Sequence, residues 1–169
     1  TRAISLNPTF AIAYYNRSVS RKRLNKMDES LSDLNIAISL NQDFANAYFN
    51  RAVTLKKMGN IDQAIDDYSK AITIKSDFTE ALFNRGFAKT MLGAYADSIM
   101  DFNLAVEASP DDPEPYNMRG NVNSFFGKYN QAIEDYTAAI ARNPNYAEAY
   151  FNRGITYILN YSQIDGCAD

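Results

Sequence analysis

Residues 45–78 read ANAYFNRAVTLKKMGNIDQAIDDYSKAITIKSDF, and this 34-residue pattern recurs along the chain without insertion or deletion between Thr1 and Tyr157. Each copy carries an arginine at the same place. An interval of 34 residues is far longer than a helical or strand period, so it must be the length of a structural unit that is used repeatedly. The sequence therefore predicts an array of similar units. The marker residues are Arg17, Arg51, Arg85, Arg119 and Arg153.

Each unit contains two stretches in which apolar residues recur at helical spacing. A glycine (Gly59, Gly93 or Gly127) separates the two stretches in three of the units. Glycine adopts the left-handed backbone conformation readily, so it is typical of the end of a helix. Each unit is therefore predicted to be a helix, a tight turn and a second helix, which makes the fold all-α. The predicted divisions are the end of a preceding unit at 1–10, complete units at 11–44, 45–78, 79–112 and 113–146, and a partial unit with a degenerate tail at 147–169.

Polar residues mark the beginning of the first helix in each unit. Aspartate or asparagine occurs just before the apolar pattern, and a glutamate follows three residues later in three of the units. This spacing is typical of a capping box, in which the two side chains bond to free backbone N–H groups. The predicted caps are Asp43, Asp77, Asp111 and Asn145, and the predicted boxes use Glu80, Glu114 and Glu148.

The composition disfavours several classes of function. The net charge of −3 argues against nucleic-acid binding, which depends on clustered lysine and arginine. The absence of histidine removes the usual residue of acid–base and metal chemistry, and the single Cys167 excludes an internal disulfide framework. No apolar run approaches the roughly 20 residues of a membrane span. We therefore expect a soluble, cytoplasmic protein that is not an enzyme, with no metal or cofactor and with Cys167 as a tail thiol.

The unit is similar to the tetratricopeptide repeat. Its clearest copy combines Pro113, Tyr116, Gly120, Tyr129, Ala132, Tyr136, Ala139 and Pro144. The resemblance implies a right-handed superhelical solenoid of helix-turn-helix repeats, whose first helices line a concave groove for peptides or partner proteins. The chain departs from the family at Arg21, Lys89 and Asn123, where an aromatic residue is usual. Such modules usually serve as scaffolds for protein–protein interaction.

Every marker arginine has an aspartate sixteen residues later, on the predicted second helix of the same unit. A guanidinium that is buried or half-buried requires a carboxylate or several carbonyl groups as partners. We therefore predict ion pairs that join the two helices of a unit, rather than arginines that contact a ligand. The predicted pairs are Arg17 with Asp33, Arg51 with Asp67, Arg85 with Asp101, and Arg119 with Asp135.

Beside the arginines stands a row of asparagines, interrupted by Met118. A side-chain amide both donates and accepts, so such a row could bind an extended peptide backbone. It resembles the asparagine ladder in the repeats of O-linked N-acetylglucosamine transferases, although these amides could instead bond to neighbouring helices. The family's groove geometry adds flanking aromatic, apolar and basic residues. The predicted groove residues are Tyr15, Asn16, Val19, Lys22, Arg23, Phe49, Asn50, Val53, Lys56, Lys57, Phe83, Asn84, Phe87 and Asn152.

The basic and aromatic early half of this groove favours an acidic peptide with apolar anchors as the partner. Three alternatives stay open: a substrate-recruiting arm of a larger enzyme such as a glycosyltransferase, an atypical chaperone-binding co-chaperone module, and RNA binding by a helical repeat, which the charge disfavours. The carboxylate clamp of the co-chaperones is incomplete, because Tyr15, Phe49 and Glu80 occupy slots that need cations. The repeat pattern at the two ends leaves two alternatives open: the chain is a piece of a longer repeat protein, or it self-associates through exposed repeat ends.

Overall fold

The computed structural model describes residues 2–165, with side chains as far as Tyr161, so that Gly166, Cys167 and Asp169 lie outside the described residues. Within this range the regular structure is helical throughout, as predicted. None of these helices has the length and apolarity that crossing a bilayer requires. The helices are α1 (Arg2–Leu6), α2 (Ala11–Arg23), α3 (Met27–Leu40), α4 (Ala45–Lys57), α5 (Ile61–Ile74), α6 (Thr79–Met91), α7 (Tyr95–Ala108), α8 (Pro113–Phe125), α9 (Tyr129–Arg142) and α10 (Ala147–Asp165).

The described chain divides into two compact units, and the boundary between them falls after Ala88, within α6. In the first unit α4 packs against both α3 and α5, and α2 packs against α3. In the second unit α8 packs against α7 and α9, and α10 packs against α9. Consecutive helices are thus neighbours in space, which confirms the predicted fold of paired helices.

The turn between the two helices of a repeat uses a left-handed residue. Gly59, Gly93 and Gly127 have φ angles of 87°, 76° and 71°, as the glycine pattern predicts. The first repeat has Asn25 at the same position, with a φ of 60°. Asparagine is among the few other residues that tolerate this conformation, so the same turn forms without glycine.

Small residues allow the helices to approach closely. Ala64 and Ala71 of α5 are completely buried, and Ala132 and Ala139 hold the same positions in α9. A larger side chain is placed between them once in each helix, namely Tyr68 or Tyr136. Alternating small and large residues in this way fills the space between helices at the density typical of protein interiors.

The predicted caps of the first helices are wrong in the two cases where the cap geometry is recorded. The residue before α4 is Phe44, which has no side-chain bond to the helix, so Asp43 lies one residue too early. The residue before α8 is Asp112, whose Oδ1 accepts from the backbone N–H of Glu114 at 3.0 Å, and Asp111 is not the cap. The helix therefore begins one residue later than the capping-box pattern predicts.

Candidate functional site

Arg51 joins three helices. Its Nε and Nη2 donate to the two carboxylate oxygens of Asp67 on α5, each at 2.7 Å. Its Nη1 donates to Oδ1 of Asn35 on α3, also at 2.7 Å. The Asp67 side chain is only 8% exposed, so its charge depends on this partner. The guanidinium therefore connects its own repeat to the preceding one.

The same geometry recurs around the other marker arginines. Arg17 bonds to Asp33, and Arg119 bonds to both Asp135 and Asn103. Arg85 donates to Ser69 through Nη1, but Asp101 belongs to the other compact unit, so the pairing of Arg85 with Asp101 stays a prediction.

The acceptors on the preceding repeat, each sixteen residues before its arginine, were not predicted from the sequence. The sequence does contain a signal for these acceptors, because a polar side chain occurs at the same position in the second helix of each repeat. These acceptors are Asn35, Ser69, Asn103 and Thr137.

The three departures from the family pattern have a physical reason. Arg21 lies 2.6 Å from the Asp33 carboxylate, and Lys89 lies 2.8 Å from that of Asp101. The Asn123 amide similarly donates to Asp135 at 3.1 Å. These residues give a buried carboxylate an additional donor where the family usually has an aromatic ring. The second repeat differs, because Leu55 occupies this slot.

Two lysines bridge successive first helices. Nζ of Lys22 on α2 donates to Oδ1 of Asn50 on α4 at 2.7 Å, and the Asn50 amide nitrogen donates to the Tyr15 hydroxyl at 3.1 Å. One repeat later, Nζ of Lys56 donates to Oδ1 of Asn84 at 2.8 Å. Both asparagines also donate to the backbone carbonyl four residues earlier. Their amides are therefore already engaged within the protein.

These lysines carry charges that no carboxylate balances. Neither Lys22 nor Lys56 forms an ion pair within residues 2–161. Burial lowers the pKa of both side chains, and the nearby Arg23 and Lys57 lower that of Lys22 further. The Lys56 ammonium also lies 5.0 Å from the centre of the exposed Phe87 ring. This surface can accept anionic groups at little cost to existing contacts.

The other predicted groove residues of the first unit fall into three groups: packing residues, exposed residues and half-buried residues. Tyr15 and Phe49 are packing residues, because the Tyr15 ring lies 5.0 Å from that of Phe44 and the Phe49 ring lies 4.9 Å from that of Phe78. Arg23, Lys57 and Asn16 are exposed, and Val19, Val53 and Phe83 are half-buried. The accessible part of the predicted groove is therefore mainly basic.

In the second unit the asparagines bond to each other instead of to lysines. The Asn152 amide nitrogen donates to Oδ1 of Asn121 at 3.0 Å and to that of Asn117 at 3.4 Å. The Tyr136 hydroxyl donates to the same Asn121 oxygen at 2.9 Å. Asn117 is completely buried and also donates to Glu148 at 3.0 Å. Burial raises the pKa of Tyr136 to about 12, so its hydroxyl remains a donor at neutral pH.

This network forms the floor of a cavity of about 420 Å³ between α8, α9 and α10. Its walls are the side chains of Phe125, Tyr129, Ile155 and Leu159. Asn152 was among the predicted groove residues, but the cavity was not predicted, since the spacing of residues along a helix does not show how far two first helices stand apart.

Two family models match the chain. The tetratricopeptide repeat model matches residues 45–78, and a second model of this repeat matches residues 127–160. The chain is a tetratricopeptide repeat protein. Its fold and its structural neighbours support a protein–protein interaction module. No curated protein sequence matches the chain.

Several solved structures resemble this repeat protein. YrrB, described as a tetratricopeptide repeat protein with an unusual peptide-binding site, has a TM-score of 0.83 at 23% identity, over 96% of this chain and 83% of YrrB. MamA from Desulfovibrio magneticus RS-1 has a TM-score of 0.81 at 16% identity, over 92% of this chain and 89% of that one. The first repeat domain of Spaghetti (RPAP3), bound to the HSP90 peptide SRMEEVD, has a TM-score of 0.65 at 26% identity, over 67% of this chain and 90% of that domain.

Proposed function

We propose that this protein is a non-catalytic module that binds an extended acidic segment of a partner protein along α2, α4 and α6. The observation that carries the proposal is the pair of half-buried lysines, Lys22 and Lys56, which have no carboxylate partner among residues 2–161. Each ammonium is held by an asparagine of the next first helix, so its position is fixed before a ligand arrives. A fixed donor loses little conformational entropy on binding.

The charge around the lysines favours an anionic ligand. Arg23 and Lys57 are exposed near Lys22, and five cationic groups lie on the last turns of α2 and α4, of which Arg21 alone is paired with a carboxylate among the described residues. Such a cluster attracts acidic segments and repels basic ones. The exposed ring of Phe87 offers an apolar contact beside Lys56. The RPAP3 neighbour supports this class of ligand, because three of the seven residues in its bound peptide SRMEEVD are acidic.

Selection from a displayed library of random heptapeptides tests the proposal. We expect the peptides that the intact chain retains to be enriched in aspartate and glutamate. A Lys22→Met/Lys56→Met variant should lose this enrichment and bind individual selected peptides about tenfold to a hundredfold more weakly per lysine, the range for a hydrogen bond to a charged group. Binding is measured by fluorescence anisotropy.

The matched control is the Lys26→Met/Lys70→Met variant, which removes the same charge from exposed positions outside the first helices. It should retain the enrichment. Selected peptides without excess acidic residues, or equal losses in both variants, would contradict the proposal. Binding of SRMEEVD itself tests the chaperone-related alternative separately.

The affinity for a selected acidic peptide should fall as the pH rises through the alkaline range. The carboxylates of the peptide stay ionised throughout, so the lysines are the groups that titrate. Because burial lowers the pKa of Lys22 and Lys56 below the ordinary value of 10.5, the loss should begin below that pH. Affinity that stays constant until pH 10.5 would exclude these two lysines as the binding groups. Anisotropy titrations with a tyrosine-free peptide between pH 7 and 11 measure the effect.

A further inference from the structure

The cavity between α8, α9 and α10 has unused hydrogen-bonding groups on its floor. Oδ1 of Asn152 has no hydrogen-bond partner within residues 2–161. The amide nitrogen of Asn121 donates only to the thioether sulfur of Met118, at 3.8 Å. A thioether is a weak acceptor, so this donor can exchange its partner at little cost. The site therefore presents one free acceptor and one weakly engaged donor.

These two groups belong to the two side chains that the hydrogen bond between Asn152 and Asn121 joins. The backbone of one extended residue complements such a pair, because its C=O can accept from the Asn121 amide while its N–H donates to Oδ1 of Asn152. The asparagines at the corresponding position of the first unit differ, since Lys22 and Lys56 already occupy the oxygens of Asn50 and Asn84. Asn152 is thus suited to a neutral ligand.

The walls of the cavity are apolar and accessible. Phe125 is 71% exposed, and Ile155 and Leu159 are also exposed. A cavity of about 420 Å³ lies within the range typical of ligand sites, which combine apolar walls with a few polar groups. Among the side chains that the structure describes, no lysine or arginine lines it. An uncharged apolar side chain fits these walls, and the backbone N–H and C=O of the same residue fit the floor.

We propose that this cavity binds an apolar side chain of a partner protein together with the backbone N–H and C=O of the same residue. The inference rests on the proposed function in that the ligand is a polypeptide, but it uses other residues and neutral chemistry. The second unit thus supplies an anchor site that does not depend on the charge of the partner.

N-acetyl-L-phenylalaninamide, an uncharged side chain with two amide groups, is the probe. Titration into the intact chain should shift the side-chain amide signals of Asn121 and Asn152 in 1H–15N NMR spectra, with a Kd on the order of 1 mM. N-acetylglycinamide, which lacks the apolar group, should bind at least about tenfold more weakly, since an aromatic side chain contributes most of the buried apolar area. Toluene, which lacks the amides, should leave both asparagine signals in place.

Two adjacent phenylalanines provide the matched variants. Phe125→Ala removes a cavity wall and should weaken probe binding about tenfold, whereas Phe126→Ala should weaken it clearly less, because Phe126 does not line the cavity and only supports the Phe125 ring, at 5.2 Å between the ring centres. No saturable shift at Asn121 and Asn152, equal binding of the two probes, or equal effects of the two variants would overturn the inference.

Acidic enrichment in the peptide display with no probe binding would overturn this inference alone. Probe binding that persists in Lys22→Met/Lys56→Met, without acidic enrichment in the display, would support the cavity and reject only the acidic ligand.

Discussion

Replacing Arg51 with methionine should lower the free energy of unfolding by about 3–5 kcal/mol, the range for removing one partner of a buried ion pair. The change leaves the carboxylate of Asp67, 8% exposed, without its bidentate donor. It also removes the bond to Asn35 on the preceding repeat. Urea denaturation followed by circular dichroism measures the loss.

The double variant Arg51→Met/Asp67→Leu is expected to be more stable than Arg51→Met alone. The second change removes the stranded carboxylate and puts an apolar side chain of similar size in its place, which is often neutral or stabilising. A strictly additive double-mutant cycle would show that Arg51 and Asp67 do not stabilise each other.

Arg17 supplies a matched comparison, because Asp33 has a second cationic partner. Arg21 lies 2.6 Å from the Asp33 carboxylate and remains after Arg17 is changed. Arg17→Met should therefore lower the free energy of unfolding less than Arg51→Met does. In the repeat of Arg51 the position of the second donor is occupied by Leu55, which cannot bond to Asp67. Equal costs at the two sites would contradict the protective role that the structure assigns to Arg21.

The fold was predictable from the sequence because each copy of the pattern repeats the same information. Glycine at three of the four turns indicates the left-handed residue, and Asn25 could have been placed with them by its 34-residue offset from Gly59. The first residues of the helices were harder to predict from the sequence. The sequence around Asp43 satisfies a capping pattern, but the turn places Phe44 at the cap because Asp43 N–H bonds to Oδ1 of Asn41 at 3.1 Å.

The candidate site was predictable only in part. An arginine and an aspartate at corresponding places of paired helices indicate an ion pair, because few other partners satisfy a guanidinium. An asparagine gives no such restriction, since its amide both donates and accepts. The partner of Asn50 is Lys22, 28 residues earlier on the preceding first helix, and their contact depends on how two repeats pack. The offset recurs between Lys56 and Asn84, which is the signal that could have revealed it.

Replacing Gly120 with alanine should destabilise the protein by about 1–3 kcal/mol, the usual cost of adding a group to a filled core. A Cβ at this position would lie 2.7 Å from Cε1 and 3.0 Å from Cδ1 of the Tyr136 ring. Tyr136 is 1% exposed, and the hydrogen bond from its hydroxyl to Asn121 restricts the movement of its ring. Urea denaturation and a thermal melt measure the change.

Gly154→Ala is the matched control, because Gly154 occupies the same slot of α10 and its added Cβ would meet no heavy atom of the described residues within 4 Å. Alanine there should stabilise the protein by about 0.5–1 kcal/mol, since glycine is unfavourable within a helix. A neutral Gly120→Ala would show that the Tyr136 ring can shift.

Comparison with the second repeat explains why the ring of Tyr136 is expected to stay in place when a Cβ is added at Gly120. There Ala52 and Tyr68 occupy the same two slots and are both completely buried, so this helix pair accommodates a Cβ. The Tyr68 hydroxyl has no hydrogen-bond partner within residues 2–161, whereas the Tyr136 hydroxyl donates to Asn121 on the floor of the cavity. That bond holds the ring against Gly120. Gly120→Ala should therefore also shift the Asn121 side-chain signal and weaken binding of N-acetyl-L-phenylalaninamide, whereas Gly154→Ala should leave both unchanged.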